Sequence, residues 1–496
     1  MLKAVFSLFS IALLSKFLGL VREMVVAYYF GADINTDIYF LAANLAANVL
    51  YAVTTSFGIA FVPIYLQKKV EDEHKAKIFA GNIFTFYFCC SILISVLLIL
   101  FSPFIARLLA PSYNQEQLQQ LISYLRIIMT GIAFSLATGL FQNLLNAEKK
   151  FILGGLTGII FSLSAILMIL FLSPYFGILA LVFSLPTAYL IQFLLLGSCS
   201  FRFMKLCRYP GWFGDAKHLC WFSLPLLLSN SAVELNQIIG RILATGIGEG
   251  IVSALSYSSL ILVCITGIFG MSIVTVYYTA FSQTHDLKEL RRLFVSGTMT
   301  ITVVLFPIAI LMAVQSKNIV LLLFGRGAFN EQAVANTGIG VQWYALCVIS
   351  IVLRLFTDRI FLALKDSKMT MKIYLLESGS NILFAVILSY YWGCHGLFLA
   401  LGLASILSYG VQMWMLHRKI GAFHFWEYKR AWFALAGAGI VFAGLVLFGK
   451  ILFPGKYAFV MTACLAAAAY AYSYCRLDGL RLNMNTLSSF FKKRLQ

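Results

Sequence analysis

Charged side chains embedded in long apolar runs are the residues of this chain able to do chemistry. The basic ones are Lys16, Arg22, Arg126, Arg241, Arg354 and Arg359, and the acidic ones are Glu23, Asp37, Glu234, Asp358 and Glu377. Each costs about 2.5–3.5 kcal/mol to insert in a bilayer, so each calls for a task or a partner. Lys16 and Glu23 are seven residues apart, two helical turns, and share a face with Gly19 between them. Arg22 projects about 120° from that face on an ideal helix. Asp37 opens the next apolar run, within reach of Arg22 or Lys16 across the short segment 31–36. Two cations with a nearby acid fit a cavity that grips an anionic headgroup; the competing reading is an ion-pair cluster joining two helices.

Further along, Asn230, Ser231, Glu234, Asn236, Gln237 and Arg241 make one run unusually polar, with Glu234 and Arg241 again two turns apart. Glu377 and Asn381 lie one turn apart in a later run beside Ser378 and Ser380. Carboxylate and amide oxygens suit a hard cation such as Na⁺, and a buried Glu377 also suits a proton. Interhelical hydrogen bonding is the alternative for both runs. Arg354 and Asp358 are spaced as an i,i+4 pair, a structural pattern.

The elements that must position these residues are membrane helices. Of 496 residues, 61% are hydrophobic and 11% charged, and the mean hydropathy is +0.89. Soluble domains carry about 25% charged residues, so this chain could not coat a soluble surface of its size. Apolar runs at 4–30, 38–66, 78–102, 119–146, 151–173, 176–198, 219–245, 251–282, 293–314, 332–363, 370–391, 395–416, 431–453 and 457–475 give fourteen expected spans. The expected fold class is therefore an all-α polytopic membrane protein. The first run continues past Lys16 and Arg22, which reads as a span and not as a secretory signal. A tight outward turn is expected at Ser173-Pro174-Tyr175-Phe176.

The chain has 37 Lys and Arg against 19 Asp and Glu, a net charge of +18. The cations cluster in alternate loops: Lys68, Lys69, Lys75 and Lys77; Lys149 and Lys150; Arg202, Lys205, Arg208 and Lys217; Lys288, Arg291 and Arg292; Lys365, Lys368 and Lys372; Arg418, Lys419, Lys429 and Arg430; and the tail Arg476, Arg481, Lys492, Lys493 and Arg494. The intervening loops hold only Arg107, Lys317, Arg326, Lys450 and Lys456. This alternation follows the positive-inside rule, puts both termini in the cytoplasm and requires an even number of spans. The basic excess is topological, so no nucleic-acid partner is expected.

Enzyme signatures are missing. The sequence has no G-x-x-x-x-G-K-[ST], no G-x-S-x-G and no H-E-x-x-H, and its ten cysteines form neither a CxxC nor a zinc spacing. No enzymatic activity is expected, and the protein is expected to act as a transporter. A weak repeat at an offset of about 214 residues relates Phe9-Ser10-Ile11-Ala12-Leu13-Leu14-Ser15 to the stretch from Phe222 to Ser229, and Leu108-Leu109 to Leu322-Leu323. The expected organisation is an N-terminal lobe over 1–200, a C-terminal lobe over 201–425, and two further helices with a basic tail over 426–496. Two six-helix lobes in parallel orientation fit a transporter whose substrate binds between repeats.

Specific residues then carry a family resemblance. Ser15-Lys16-Phe17-Leu18-Gly19-Leu20-Val21-Arg22-Glu23, Phe30-Gly31-Ala32, Thr36-Asp37-Ile38-Tyr39-Phe40 and Ala60-Phe61-Val62-Pro63-Ile64 resemble the N-terminal signature of the MurJ/MviN lipid II flippases. These belong to the multidrug/oligosaccharidyl-lipid/polysaccharide exporter superfamily. Leu145-Asn146-Ala147 with Lys150-Phe151, and Ala363-Leu364-Lys365-Asp366-Ser367-Lys368, echo it further. The resemblance implies two lobes around a cationic cavity and movement of undecaprenyl-pyrophosphate-linked saccharide from the inner to the outer leaflet of the bacterial cytoplasmic membrane. The drive would be membrane potential or a Na⁺ or H⁺ gradient, and the partners would be membrane lipids and the cell-wall synthesis machinery.

Carried over residue by residue, the resemblance assigns substrate binding to Lys16, Arg22 and Asp37, beside which Glu23 is the further candidate from the spacing on the first span, and a cation site near Glu234, Glu377 and Asn381. The family's arginine midway along span 2 is replaced here by Leu50-Tyr51, and the one early in span 8 by Tyr257-Ser258-Ser259-Leu260. Lys16 also lacks the bidentate fork of arginine. The chain is therefore expected either to recruit Arg241 or Arg354 for a lipid II headgroup or to carry a different polyprenyl-linked glycan, such as a polysaccharide or O-antigen repeat unit. A multidrug or organic-cation antiporter is the remaining superfamily alternative.

Overall fold

The computed structural model describes residues 2–205, 212–284, 286–364, 366–423, 429–452 and 456–476. Arg208, Lys365 and the tail cations Arg481, Lys492, Lys493 and Arg494 lie outside the described residues. Among the described residues the secondary structure is helical, without β-strands.

Two compact units divide the chain: Met1–Ser253 with Arg326–Asn330, and Ala254–Gly325 with Glu331–Gln496. The first holds α1 (Leu2–Phe30), α2 (Ile34–Glu71), α3 (Glu73–Leu100), α4 (Ser102–Leu109), α5 (Gln115–Thr130), α6 (Ile132–Ala147), α7 (Phe151–Gly155), α8 (Thr157–Phe176), α9 (Ile178–Ser200) and α10 (Trp212–Thr245). Its last residues begin α11 (Ile251–Ile265). The second holds the rest of α11, then α12 (Met271–Gln283), α13 (Leu287–Leu323), α14 (Glu331–Tyr344), α15 (Val348–Ala363), α16 (Ser367–Ile420), α17 (Lys429–Leu452) and α18 (Lys456–Arg476). The repeat in the sequence divides the chain at 200/201, whereas packing groups α10 with the first unit, where it lies along α2.

The few acidic and amide residues between apolar runs do specific local work. Asp33 caps α2 by accepting from Thr36 N–H, Asp72 caps α3 from His74 N–H, and Asp286 caps α13 from Lys288 N–H. Asn114 and Gln117 form a reciprocal capping box at α5. Each satisfies backbone donors that the first helical turn leaves without partners.

Nine helical segments among the described residues are long and apolar enough to cross a membrane, or ten if α14 and α15, bent by 47°, count as one span. The protein is a multi-pass membrane protein. The 54 residues of α16 would extend about 80 Å as one straight helix, far beyond a bilayer core of about 30 Å. Gly393, at φ +55°, breaks that helix into two parts. The turn expected at Ser173–Phe176 falls slightly later. Helix α8 continues through Pro174 to Phe176, and the chain turns at Gly177, whose N–H donates to Ser173 O at 3.0 Å. A proline so near a helix end costs a single ladder bond.

Aromatic stacking fills the first unit. Phe84 lies on Phe141 with ring centroids 5.1 Å apart, and Phe61 on Phe79 at 5.8 Å. In the second unit Phe281, Phe294, Phe356, Ile360 and Leu416 form one buried cluster, while α17 and α18 pack on Phe306 and Val303 of α13.

One loop closes onto α1 by backbone contact. Ala328 N–H donates to Tyr28 O at 2.8 Å, and a Cβ on Gly327 would lie 2.2 Å from that oxygen. A Cβ on Gly31 would lie 2.4 Å from Ala328 O. Both glycines have positive φ, +63° and +66°, so neither position accepts a side chain.

Candidate functional site

In the first unit α1 carries the expected cations. Lys16 is exposed and, among the described residues, is the one charged residue lining a cavity of about 640 Å³. Ser15, Gln142, Asn146 and Thr157 supply polar groups to this cavity, and Gly154, Gly155 and Gly158 keep its wall low. The site is assembled from α1, α6, α7 and α8. An ammonium ion among amides and hydroxyls suits an anionic oxygen-rich group.

Arg22 lies six residues further along α1, about 9 Å by helical rise. Its Nη2 is 2.5 Å from Glu23 Oε1, and its guanidinium lies 5.0 Å from the centre of the Phe161 ring. The Arg22 side chain keeps 23% of its surface exposed and that of Glu23 13%. Glu23 and Phe161 therefore hold Arg22 in place without burying it fully, leaving donors for a second anion.

Asp37 does not join these cations. Its Oδ1 accepts from Ser253 N–H at 2.7 Å and Ser253 Oγ–H at 2.5 Å, and its Oδ2 accepts from Gly250 N–H at 2.7 Å. The carboxylate caps the start of α11, where the unpaired N–H groups and the helix dipole favour negative charge. The expected encounter of Asp37 with Arg22 or Lys16 is thus replaced by a helix cap. Asp37 is buried at 1% exposure, so a lone charge there needs those three donors.

On α10, Glu234 is half-buried and receives a hydrogen bond from the Asn48 amide at 3.0 Å when that amide is turned to satisfy its surroundings. Asn230 donates to Ser56 Oγ at 3.0 Å, and Arg241 Nη1 donates to Gln237 O at 3.2 Å. Two of these contacts tie α10 to α2. Outside the apolar interior, Lys69 pairs with Glu148 at 2.5 Å, Tyr65 donates to the same oxygen at 2.6 Å, and Lys68 pairs with Asp215 at 3.1 Å.

In the second unit Arg354 is central. Its Nη1 is 3.3 Å from Asp358 Oδ2, as the i,i+4 spacing implies, and its Nε is 2.9 Å from Glu377 Oε2 on α16. Tyr374 lies under the guanidinium at 4.5 Å, and Gln412 Nε2 donates to Asp358 Oδ1 at 2.7 Å. Glu377 therefore already faces a cation of the chain itself. Asn381 stands one turn beyond it on α16. No group of three or more His, Cys, Asp or Glu arranged to hold a metal occurs among the described residues.

The two positions where sequence comparison expects arginines are otherwise used. Tyr51 is exposed and Leu50 buried in the first unit; in the second, Tyr257 and Ser258 are buried and Ser259 Oγ lies 3.4 Å from Tyr344 Oη. Sequence reasoning missed the partners that complete each site, namely Ser253, Phe161 and Gln412. Each is far along the chain from the residue it serves.

Residues 26–467 match the family model described as "Lipid II flippase MurJ". The chain belongs to the MurJ family. Among its relatives are a lipid II flippase MurJ of Burkholderia cenocepacia, 24% identical over 525 aligned positions with 99% of each chain covered, and a probable lipid II flippase MurJ of Buchnera aphidicola subsp. Schizaphis graminum, 24% identical with 84% of each covered. A solved structure titled "Lipid II flippase MurJ, inward closed conformation" matches all of both chains with a TM-score of 0.82 at 18% identity. An inward-facing multidrug resistance MATE transporter of the MOP superfamily matches 84% of this chain and 98% of its own, with a TM-score of 0.70 at 13% identity. At such identities both likenesses speak to the fold, which is that of the MurJ family and its superfamily.

Proposed function

We propose that this chain is a lipid II flippase, carrying the undecaprenyl-pyrophosphate-linked peptidoglycan precursor from the inner to the outer leaflet of the bacterial cytoplasmic membrane by alternating access. It moves its cargo and makes or breaks no covalent bond. Membership of the MurJ family supports the substrate, and the observation that carries the residue-level reading is Lys16 in its polar cavity with Arg22 farther along the same helix. These two cations, offset by about 9 Å of rise and about 120° around the helix, can engage different parts of one headgroup, its pyrophosphate and the neighbouring sugar. Glu23 positions Arg22, while Asp37 acts on the substrate path only by fixing the start of α11. Arg241 is the further headgroup candidate that the missing span 2 and span 8 arginines call for.

The same reading carries fourteen spans with both termini cytoplasmic. Besides the ten apolar candidates, α1, α10 and α18 are long enough to cross, and α16 supplies two spans across its break at Gly393. The alternation of basic loops sets the orientation. The implied partners are membrane lipids and the cell-wall synthesis machinery.

Complementation tests the reading. The chain should sustain growth and prevent lysis in cells depleted of their own lipid II flippase, and Arg22→Ala should not, at equal membrane abundance. Failure of the wild-type chain, with the protein present in the membrane, would reassign it to another polyprenyl-linked glycan.

A further inference from the structure

Two side-chain amides in the Lys16 cavity have no task in the function proposed above. Gln142 and Asn146 stand one turn apart on α6, about 6 Å by helical rise, and both line the cavity. Both are half-buried, and among the described residues neither side chain makes a hydrogen bond. Amides close to them are paired: Asn143 Nδ2 donates to Gly139 O at 2.9 Å, and Gln192 Nε2 to Thr157 O at 2.5 Å. An unpaired amide loses free energy as its site dries, so two that face one cavity favour a ligand able to pair with them.

The chain fixes Asn146 in place. Helix α6 ends just beyond it, where Lys149 N–H donates to Asn146 O at 3.0 Å and Lys150 N–H to Leu145 O at 2.8 Å. Lys149 sits at φ +58° in this turn, a position usually taken by glycine, and is the one non-glycine residue at positive φ among the described residues. Glu148 accepts from Tyr65 at 2.6 Å and from Lys69 at 2.5 Å, which pins the turn to α2. A Cβ on Gly154 would lie 2.6 Å from Asn146 Oδ1 and 3.6 Å from Gln142 Cγ, so any larger residue there would displace the Asn146 amide. Backbone strain of this kind collects where a side chain must be held for a ligand.

The chemistry of the pair selects the ligand group. With Lys16 on the pyrophosphate, neutral amides suit the uncharged group that adjoins it. A side-chain amide carries N–H donors and a C=O acceptor, and an acetamido group carries one N–H and one C=O, so the two pair reciprocally. A hydroxyl in the acetamido position presents a single oxygen and reaches only one of the two amide atoms.

We propose that Asn146, supported by Gln142, reads the acetamido group of an N-acetylated amino sugar attached to the pyrophosphate. The cavity thereby selects acetamido sugars over plain hexoses. This deepens the flippase reading and rests on it for the pyrophosphate anchor.

The test is a binding titration of the purified full chain in lipid nanodiscs with three probes: undecaprenyl pyrophosphate, its N-acetylglucosamine conjugate and its glucose conjugate. The wild type should bind the N-acetylglucosamine conjugate about tenfold more tightly than the glucose conjugate, the worth of one net hydrogen bond. Asn146→Ala, which deletes the amide, and Gly154→Ala, which displaces it, should both lose that preference and keep wild-type affinity for undecaprenyl pyrophosphate. Lys16→Ala should weaken all three probes by a common factor and keep the preference. A wild type that binds all three probes without preference overturns the sugar assignment and leaves the flippase reading intact. Preference retained in Asn146→Ala overturns it as well, and so does an equal loss of all three probes in that variant, which would make Asn146 structural. A wild type that binds none of the probes overturns the polyprenyl-pyrophosphate reading, and the sugar assignment with it.

Discussion

The Asp37 carboxylate and the Ser253 backbone, 216 residues apart in sequence, form a buried cap in which the Ser253 N–H and Oγ–H both donate to Asp37 Oδ1. Gly250 N–H completes it on Oδ2 at 2.7 Å. Asp37→Ala would leave two backbone donors buried without partners, at about 1–3 kcal/mol each. Thermal unfolding in detergent should therefore show Asp37→Ala strongly destabilised. Asp37→Asn keeps one acceptor oxygen and should lose less, whereas Asp37→Lys places a cation at the positive end of a helix dipole and should be worst. Equal stability of Asn and Lys variants would remove the cap from consideration.

The cation pair on α1 makes a prediction about chemistry instead of stability. Lys16 is exposed and lines the cavity, so Lys16→Ala should fold normally and bind a polyprenyl pyrophosphate more weakly, by about tenfold if it contributes one charge-assisted contact of about 1.5 kcal/mol. Lys16→Arg should retain or improve binding, since arginine presents a fork to phosphate oxygens. Binding measured by fluorescence titration that is indifferent to all three residues at this position would remove Lys16 from the headgroup site.

How far these sites could be read from sequence depended on the length scale of each contact. The span pattern, the cations of α1 and the Arg354–Asp358 pair follow from hydropathy and helical spacing, which are local. Glu377 was recognised as special for its burial in an apolar run, yet its partner Arg354 lies on another helix and no spacing rule connects them. Asp37 misled for the same reason: proximity in sequence pointed to Arg22, while the start of α11 offered two backbone N–H groups, of Gly250 and Ser253, and the Ser253 hydroxyl. The break of α16 at Gly393 was anticipated by the gap between the runs 370–391 and 395–416. Grouping α10 with α2 was not, because a repeat records ancestry of the chain and says little about which helix each copy packs against.

Steric limits at Gly327 give a prediction free of charge effects. With φ at +63° and a Cβ position 2.2 Å from Tyr28 O, Gly327→Ala must move the loop and break the Ala328 N–H bond to the same oxygen. Strained left-handed positions cost about 1–3 kcal/mol each, so the melting temperature should fall measurably. Gly19→Ala, inside α1 with nothing within 4 Å of an added Cβ, is the control and should leave it unchanged or slightly higher.

A pH dependence follows from Asp366, which lies outside the membrane-spanning segments. Lys419 donates to its Oδ2, and Met369 N–H donates to Oδ1 at 3.3 Å, so the carboxyl titrates below its ordinary value, chiefly through the Lys419 bond. A depressed carboxyl stabilises the folded state above its unfolded pKa, and that contribution disappears as pH falls through the folded pKa. Because the pair is solvent-exposed, the effect is small and weakens with salt. The melting temperature of the wild type should therefore fall relative to that of Asp366→Asn on acidification below about pH 4, the ordinary range of an aspartate. The gap between the two proteins should be widest near neutral pH and should narrow in high salt. A gap that stayed constant across this window would mean that Asp366 acts through its neutral cap geometry on α16 alone.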